Sequence, residues 1–193
     1  MEVDVTHARS YYTMGLVYQR LKKYIKAVEY YSKSIELHPQ VSSYLNRANV
    51  YRDLQQYSEA VDDYKKAISI KNYYPAHANL AAVYNTIGLY EQAIEQATIA
   101  IRLQSKYEEY YQRGLAYHKL RMYNKAIKDY DKAIELGSSS LLVSKVYDKR
   151  GDAYFSIGDN RRAIENWRKV ISLIPTKRSA MTEKIAKARQ RSK

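Results

Sequence analysis

Apolar and aromatic residues recur along this chain at spacings of three and four, as in Tyr11, Met14, Gly15 and Tyr18, and again in Tyr24, Ala27, Val28 and Tyr31. That is the period of an amphipathic α-helix, and it predicts one helix near 8 to 21, a tight turn, and a second helix near 24 to 37. Nowhere do alternating apolar and polar residues flanked by Asn-Gly or Gly-Gly turns predict a strand. The helical pattern then repeats. An alanine column runs through Ala27, Ala60, Ala93, Ala126 and Ala163, at intervals of 33, 33, 33 and 37 residues. Twelve residues before each alanine stands a small residue (Gly15, Ala48, Ala81, Gly114, Gly151), which lets two helices approach closely. Three positions beyond each of these stands Tyr18, Tyr51, Tyr84, Tyr117 or Tyr154. Further columns hold Tyr24, Tyr57, Tyr90 and Tyr123, and then Tyr31, Tyr64, Ala97, Tyr130 and Trp167. Five units of two helices, joined by short loops, account for residues 8–175.

The first unit reads Tyr11-x-x-Met14-Gly15-x-x-Tyr18, Ala27-x-x-x-Tyr31, Pro39, and the last reads Tyr147-x-x-Arg150-Gly151-x-x-Tyr154, Ala163-x-x-x-Trp167, Pro175. This resembles the tetratricopeptide repeat, with tyrosine for the family's tryptophan and Arg150 for its leucine. The middle units depart from it by carrying Asn72, Ser105 and Ser138 where the closing proline belongs, and the period is 33 where the family's is about 34. The resemblance implies an all-α fold, a right-handed superhelical solenoid of five antiparallel helix pairs. The pairs fall at about 8–40, 41–73, 74–106, 107–143 and 144–175, after an N-terminal extension over 1–7. Four extra residues lie between the fourth and fifth units, in the stretch from Gly137 to Val143. They read as one added helical turn, with Gly137 closing one helix and Ser140 capping the next. Residues 176–193 carry Met181, Ile185 and Ala188 at helical spacing among lysines and arginines, and read as a basic C-terminal capping helix and tail.

Composition narrows the function. Hydrophobic residues make up 46% of the 193, which is ordinary for a folded domain, and the absence of cysteine excludes disulfides, thiol catalysis and every metal site that needs a thiolate. No apolar run approaches the 18 or so residues that cross a bilayer. The start, Met1-Glu2-Val3-Asp4, is not that of a signal peptide, and no Asn-x-Ser/Thr occurs, so the expected compartment is cytoplasmic. Tyrosine occurs 22 times against one Phe and one Trp. Sixteen of the tyrosines fall in four repeat columns and read as packing, which leaves Tyr12, Tyr30, Tyr73, Tyr74, Tyr107 and Tyr111. There is no Gly-rich phosphate loop, no His-Glu-x-x-His and no Gly-x-Ser-x-Gly. Of the four histidines, His7 precedes the first unit, His38 sits in a turn and His77 takes a core column, so that His118 alone is read as facing the groove. The expectation is a protein that is not an enzyme and has no cofactor or metal.

In the family that the chain resembles, the first helix of each unit lines the concave side. That orientation makes a peptide-binding groove of Tyr12, Leu45, Asn46, Asn49, Asn79, Asn85, Tyr111, Gln112, Leu115, Lys145, Lys149 and Phe155. Asn46, Asn79 and Gln112 hold equivalent positions 33 residues apart. An amide donates and accepts, so a row of them pairs with a peptide backbone without demanding particular side chains. The carboxylate clamp by which co-chaperones of this family grip a C-terminus is incomplete in every window of three units, and Lys145 with Lys149 match it in charge only. Heat-shock chaperone C-termini are therefore not the expected partners. Of the net charge of +13, residues 161–193 supply +9, from 11 Lys and Arg against Glu165 and Glu183. Arg161, Arg162, Lys177, Arg178, Lys184, Lys187 and Arg189 form this basic patch. The expected function is a non-catalytic scaffold holding a peptide segment of a partner. A nucleic-acid- or anionic-surface-binding adaptor using the basic end ranks second. Self-association into a homo-oligomer ranks third, with Tyr73, Tyr74 and Tyr107 near loops where exposure would serve it.

Overall fold

The computed structural model describes residues 5–191, and within them every regular element is helical. The chain divides into two compact units, Met1–Gly88 and Leu89–Lys193. The first holds α1 (Val5–Arg20), α2 (Tyr24–Leu37), α3 (Val41–Asp53), α4 (Tyr57–Ile70) and α5 (Tyr74–Ile87). The second holds α6 (Tyr90–Leu103), α7 (Tyr107–Lys119), α8 (Tyr123–Leu136), α9 (Ser140–Ser156), α10 (Asn160–Leu173), a 3-10 turn (Pro175–Lys177) and α11 (Arg178–Gln190). Within each unit consecutive helices pack on one another, and the alternate helices α1, α3 and α5, or α7 and α9, also touch. No helix among the described residues is long and apolar enough to cross a membrane.

The small column does what its spacing promised. A Cβ added to Gly15 would lie 2.5 Å from Tyr31 Cε1, one on Gly114 2.7 Å from Tyr130 Cε1, and one on Gly151 2.6 Å from Trp167 Nε1. Each ring lies flat against bare backbone of the preceding helix, and Tyr31, Tyr64, Tyr130 and Trp167 are all buried. The turns are equally regular. Lys22, Gln55, Gly88, Arg121 and Gly158 hold one column and all have positive φ, between 56° and 84°. At four of them the next residue's N–H returns to the carbonyl five back, as in Lys23 to Tyr18 (2.9 Å) and Gln56 to Tyr51 (2.8 Å), so these first helices end in a Schellman motif, while at the fifth the Gly88 N–H itself bonds to Tyr84 O.

Two of the other tyrosine columns, that of Tyr18 and that of Tyr11, Tyr44, Tyr110 and Tyr147, are not plain packing. Tyr44 and Tyr51 flank the Arg47 guanidinium at 5.8 Å each, Tyr110 lies 5.6 Å from that of Arg113, and Tyr147 5.0 Å from that of Arg150. These arginines stitch hairpins together. Arg47 donates to both oxygens of Asp63 (2.7 and 2.8 Å) and to Ser32 of the preceding unit (2.7 Å). Arg113 does the same to Asp129 (2.8 Å twice) and Thr98 (3.1 Å), and Arg150 reaches Asn166 and Asp131.

Three expectations need correction. The cap of α9 is Ser139, whose Oγ accepts from Leu142 N–H at 3.3 Å; Ser140 is already the first helical residue. The four extra residues do enter this helix, which has 17 residues where α3, α5 and α7 have 13 or 14. Tyr107 is 7% exposed, because its hydroxyl donates to Leu142 O at 3.2 Å and its ring stacks on Tyr111, so it offers no surface for self-association. Helix α1 begins at Val5, within the extension expected over 1–7: Val5, Thr6 and His7, all exposed, add a turn ahead of the buried Ala8. Residues 1–4 of that extension and residues 192–193 of the tail lie outside the described residues.

Candidate functional site

In the first unit the predicted residues on α1, α3 and α5 are tied to each other. Asn46 Nδ2 donates to Tyr12 Oη at 2.9 Å, and Asn79 Nδ2 donates to Asn49 Oδ1 at 2.9 Å. The same Asn49 oxygen accepts from the buried Tyr64 hydroxyl at 2.7 Å. Tyr31 delivers its hydroxyl to Gln19 Oε1 at 2.6 Å in the same manner, and its ring lies 5.9 Å from that of Tyr12. The buried phenols act as struts, each rooted in the hairpin and fixing a polar side chain on a first helix, Gln19 on α1 and Asn49 on α3. Burial pushes the hydroxyls of Tyr31 and Tyr64 well above the usual tyrosine range, so they remain neutral donors. Asn46 and Asn79 each spend one N–H on a neighbour, which orients the amide and leaves its oxygen and second N–H for a ligand. Asn85, near the end of α5, is half-buried.

Beside this row lies a depression of about 520 Å³, lined by Tyr12, Leu45, Asn46, Lys71, Tyr73 and the start of α3 from Gln40 to Ser42. It joins three predicted residues to two that sequence reasoning missed as site residues, Lys71 and Tyr73. Their signal was their place in the link between a second helix and the next first helix, where only the first helices had been projected onto the groove. Tyr73 is 38% exposed and carries the Lys71 ammonium 6.0 Å from its ring centre.

In the second unit the corresponding positions of α7 and α9 carry different side chains. Tyr111 is half-buried, and its hydroxyl is raised by burial and then by Asp148. Gln112 and Leu115 are half-buried and Lys145 is exposed. Lys149 lies 3.8 Å from Asp152, so its charge is partly spent. Phe155 packs on Trp167 at 5.9 Å, beneath the Arg191 guanidinium at 5.1 Å. Sequence reading also missed that α11 reaches this face: Lys184 Nζ donates to Asp148 Oδ1 and Asp152 Oδ1, both at 2.6 Å. Lys184 therefore stands apart from the rest of the basic patch. Arg161, Arg162, Arg178, Lys187 and Arg189 are exposed and Lys177 is half-buried. Arg161 faces Glu165, Arg162 faces Asp159 and the Tyr154 ring, and Lys187 faces Glu183.

Comparison with known proteins adds the following. Tetratricopeptide repeat models match residues 6–70, 107–139 and 144–177, about two thirds of the chain together. No curated protein matches it. Among solved structures, MamA superposes with a TM-score of 0.80 at 23% identity, over 90% of this chain and 94% of MamA. MamA from Desulfovibrio magneticus RS-1, from residue 41 to its end, gives 0.82 at 20% identity, over 88% and 96%. YrrB, a protein of this repeat class with an unusual peptide-binding site, gives 0.78 at 20% identity, over 90% of each chain. At these identities the likeness is one of fold.

Proposed function

Because the chain belongs to the tetratricopeptide repeat family, we propose that it is a non-catalytic protein-interaction scaffold that holds an extended segment of a partner along the inner helices of its first unit. The observation that carries this reading is the oriented amide row, Asn46 on Tyr12 and Asn79 on Asn49, beside the depression lined by Leu45 and Tyr73. Amides already held in place, Asn46 by Tyr12 and Asn79 by Asn49, lose little side-chain entropy on binding, and each offers a peptide unit an acceptor and a donor. Leu45 and Tyr12 supply apolar contact. That a protein of the same fold, YrrB, has a peptide-binding site is in keeping with this use of the scaffold.

The test is a peptide-display selection on the intact chain, followed by titration of the selected peptide against wild type and Asn46→Ala/Asn79→Ala. The double variant is expected to bind about tenfold more weakly or worse, since each amide hydrogen bond contributes on the order of 1 kcal/mol. Its melting temperature is expected to stay within a few degrees. Equal affinity refutes the amide row. Binding that vanishes instead when the chain ends at Pro175, or that needs nucleic acid, assigns the work to the exposed cations Arg161, Arg162, Arg178, Lys187 and Arg189.

A further inference from the structure

Asp148 and Asp152 are one helical turn apart on α9, in a chain whose net charge is +13. In repeat register Asp152 takes the place of Asn49, one residue beyond the small column. It is met from the next helix much as Asn49 is met by Asn79, here by Lys184 on α11, which is anchored by buried Met181, Ile185 and Ala188. A second observation concerns the strut. Tyr31 and Tyr64 each end on an amide oxygen, but Tyr130, with no exposed surface, has no partner for its hydroxyl. The residues that would have received it are Leu115 and His118 by register, and His118 Nδ1 is likewise buried and unpartnered. The charge of Asp152 is felt by both Tyr130 and His118, and the Tyr130 ring lies 6.3 Å from that of Tyr111, which stands in the register position of Asp148 on the neighbouring first helix.

The groups gathered here share one chemical character. Two carboxylates and a phenol oxygen accept hydrogen bonds, and so does an imidazole nitrogen when the ring is neutral. Burial depresses the His118 imidazole below the ordinary histidine range, against the pull of Asp152 and aided by Lys149, Lys119 and Lys184, so neutral is its state near pH 7. Lys184 answers this set with a single ammonium that reaches one oxygen of each carboxylate. A guanidinium, with five donors in a planar fork, answers it more fully.

We propose that the inner face of the second unit is a subsite for an arginine side chain of the partner segment, formed by Asp148, Asp152, Tyr130 and His118, and that Lys184 is its internal stand-in, displaced when arginine enters. This deepens the scaffold reading by naming a side chain the partner carries, and rests on it. The experiment is separate from the first unit's amides. N-acetyl-arginine amide and its uncharged citrulline analogue are titrated into the ¹⁵N-labelled intact chain. The readout is the indole N–H of Trp167, the one tryptophan, over whose ring Lys184 Nζ sits at 5.6 Å. The arginine compound is expected to shift that signal saturably and the citrulline compound not. Lys184→Met is expected to tighten binding about tenfold by removing the competitor. Asp152→Asn, which keeps shape and hydrogen bonding, is expected to abolish it. Equal response to both compounds overturns the proposal, as does a Lys184→Met chain that stays folded by circular dichroism yet shows no saturable shift. Failure of the amide row leaves this titration unmoved, so the two readings fail separately.

Discussion

Asp129→Ala is the most exacting test of how hairpins are joined. Asp129 is 8% exposed and takes both parallel hydrogen bonds from Arg113, itself only 18% exposed. Removing the acid leaves a half-buried guanidinium held by Thr98 Oγ1 at 3.1 Å and the Tyr110 ring at 5.6 Å. Breaking a buried pair from one side costs about 3–5 kcal/mol, and the residual exposure of Arg113 places this case at about 3. With an unfolding entropy of about 2.1 cal/mol/K per residue, that lowers the melting temperature by about 7 °C if all 193 residues unfold together. If Leu89–Lys193 unfolds alone the fall is about 14 °C. Urea unfolding is followed by far-ultraviolet circular dichroism and by Trp167 fluorescence, which reports on the second unit only. The control is Arg113→Met/Asp129→Leu, expected to recover most of the loss, because two apolar groups of similar volume leave no uncompensated charge. A single variant that loses less than about 1 kcal/mol, the range of exposed pairs, refutes the reasoning. So does a double variant no more stable than the single one.

Two further outcomes follow. Burial, and then Tyr111, push the Tyr107 hydroxyl up to about 12, and burial raises Tyr31, Tyr64 and Tyr130 as well, while unfolded tyrosines titrate near about 10. The folded chain keeps protons that the unfolded chain releases, so this stability is fully present below about pH 10 and is lost as pH rises toward about 12; urea midpoints unchanged between pH 9 and about 11.5 contradict it. Ser139→Ala is expected to cost about 0.5–2 kcal/mol and to speed amide exchange at Leu142, with Ser140→Ala near neutral; the reverse order contradicts the assigned cap.

What the sequence disclosed was whatever repeats. Gly15, Gly114 and Gly151 announced a close approach at a fixed offset from Tyr31, Tyr130 and Trp167, and the contacts lie there. The row of Asn46 and Asn79 was visible for the same reason, though not the tyrosine and asparagine that orient it, because Tyr12 and Asn49 occupy other columns. What stayed hidden is what pairs across columns. Arg47 with Asp63 and Arg113 with Asp129 are 16 residues apart and absent from the first and third repeats, where Met14 and Leu80 stand, so the repeat pattern does not mark them as pairs. Lys184 was counted with a basic tail because composition records a charge and not the 36 residues of chain between it and Asp148. Ser139 and Ser140 are one residue apart in a run of three serines, and only the backbone distinguishes cap from first turn.

The left-handed turn column makes a last point. Two hairpins fill it with glycine, Gly88 and Gly158, and three with Lys22, Gln55 and Arg121, which pay for their Cβ there. The geometry is thus imposed by the helices on either side and not by the residue that adopts it. The first, second and fourth hairpins sit above their lowest backbone energy by a fraction of a kcal/mol to about 1 kcal/mol each. The scaffold holds an unspent reserve of stability at three turns: Lys22 and Gln55 lie outside every set of residues proposed to bind, whereas the Arg121 N–H is bonded to His118 O at 3.0 Å, so hardening the first two is expected to leave recognition unaltered.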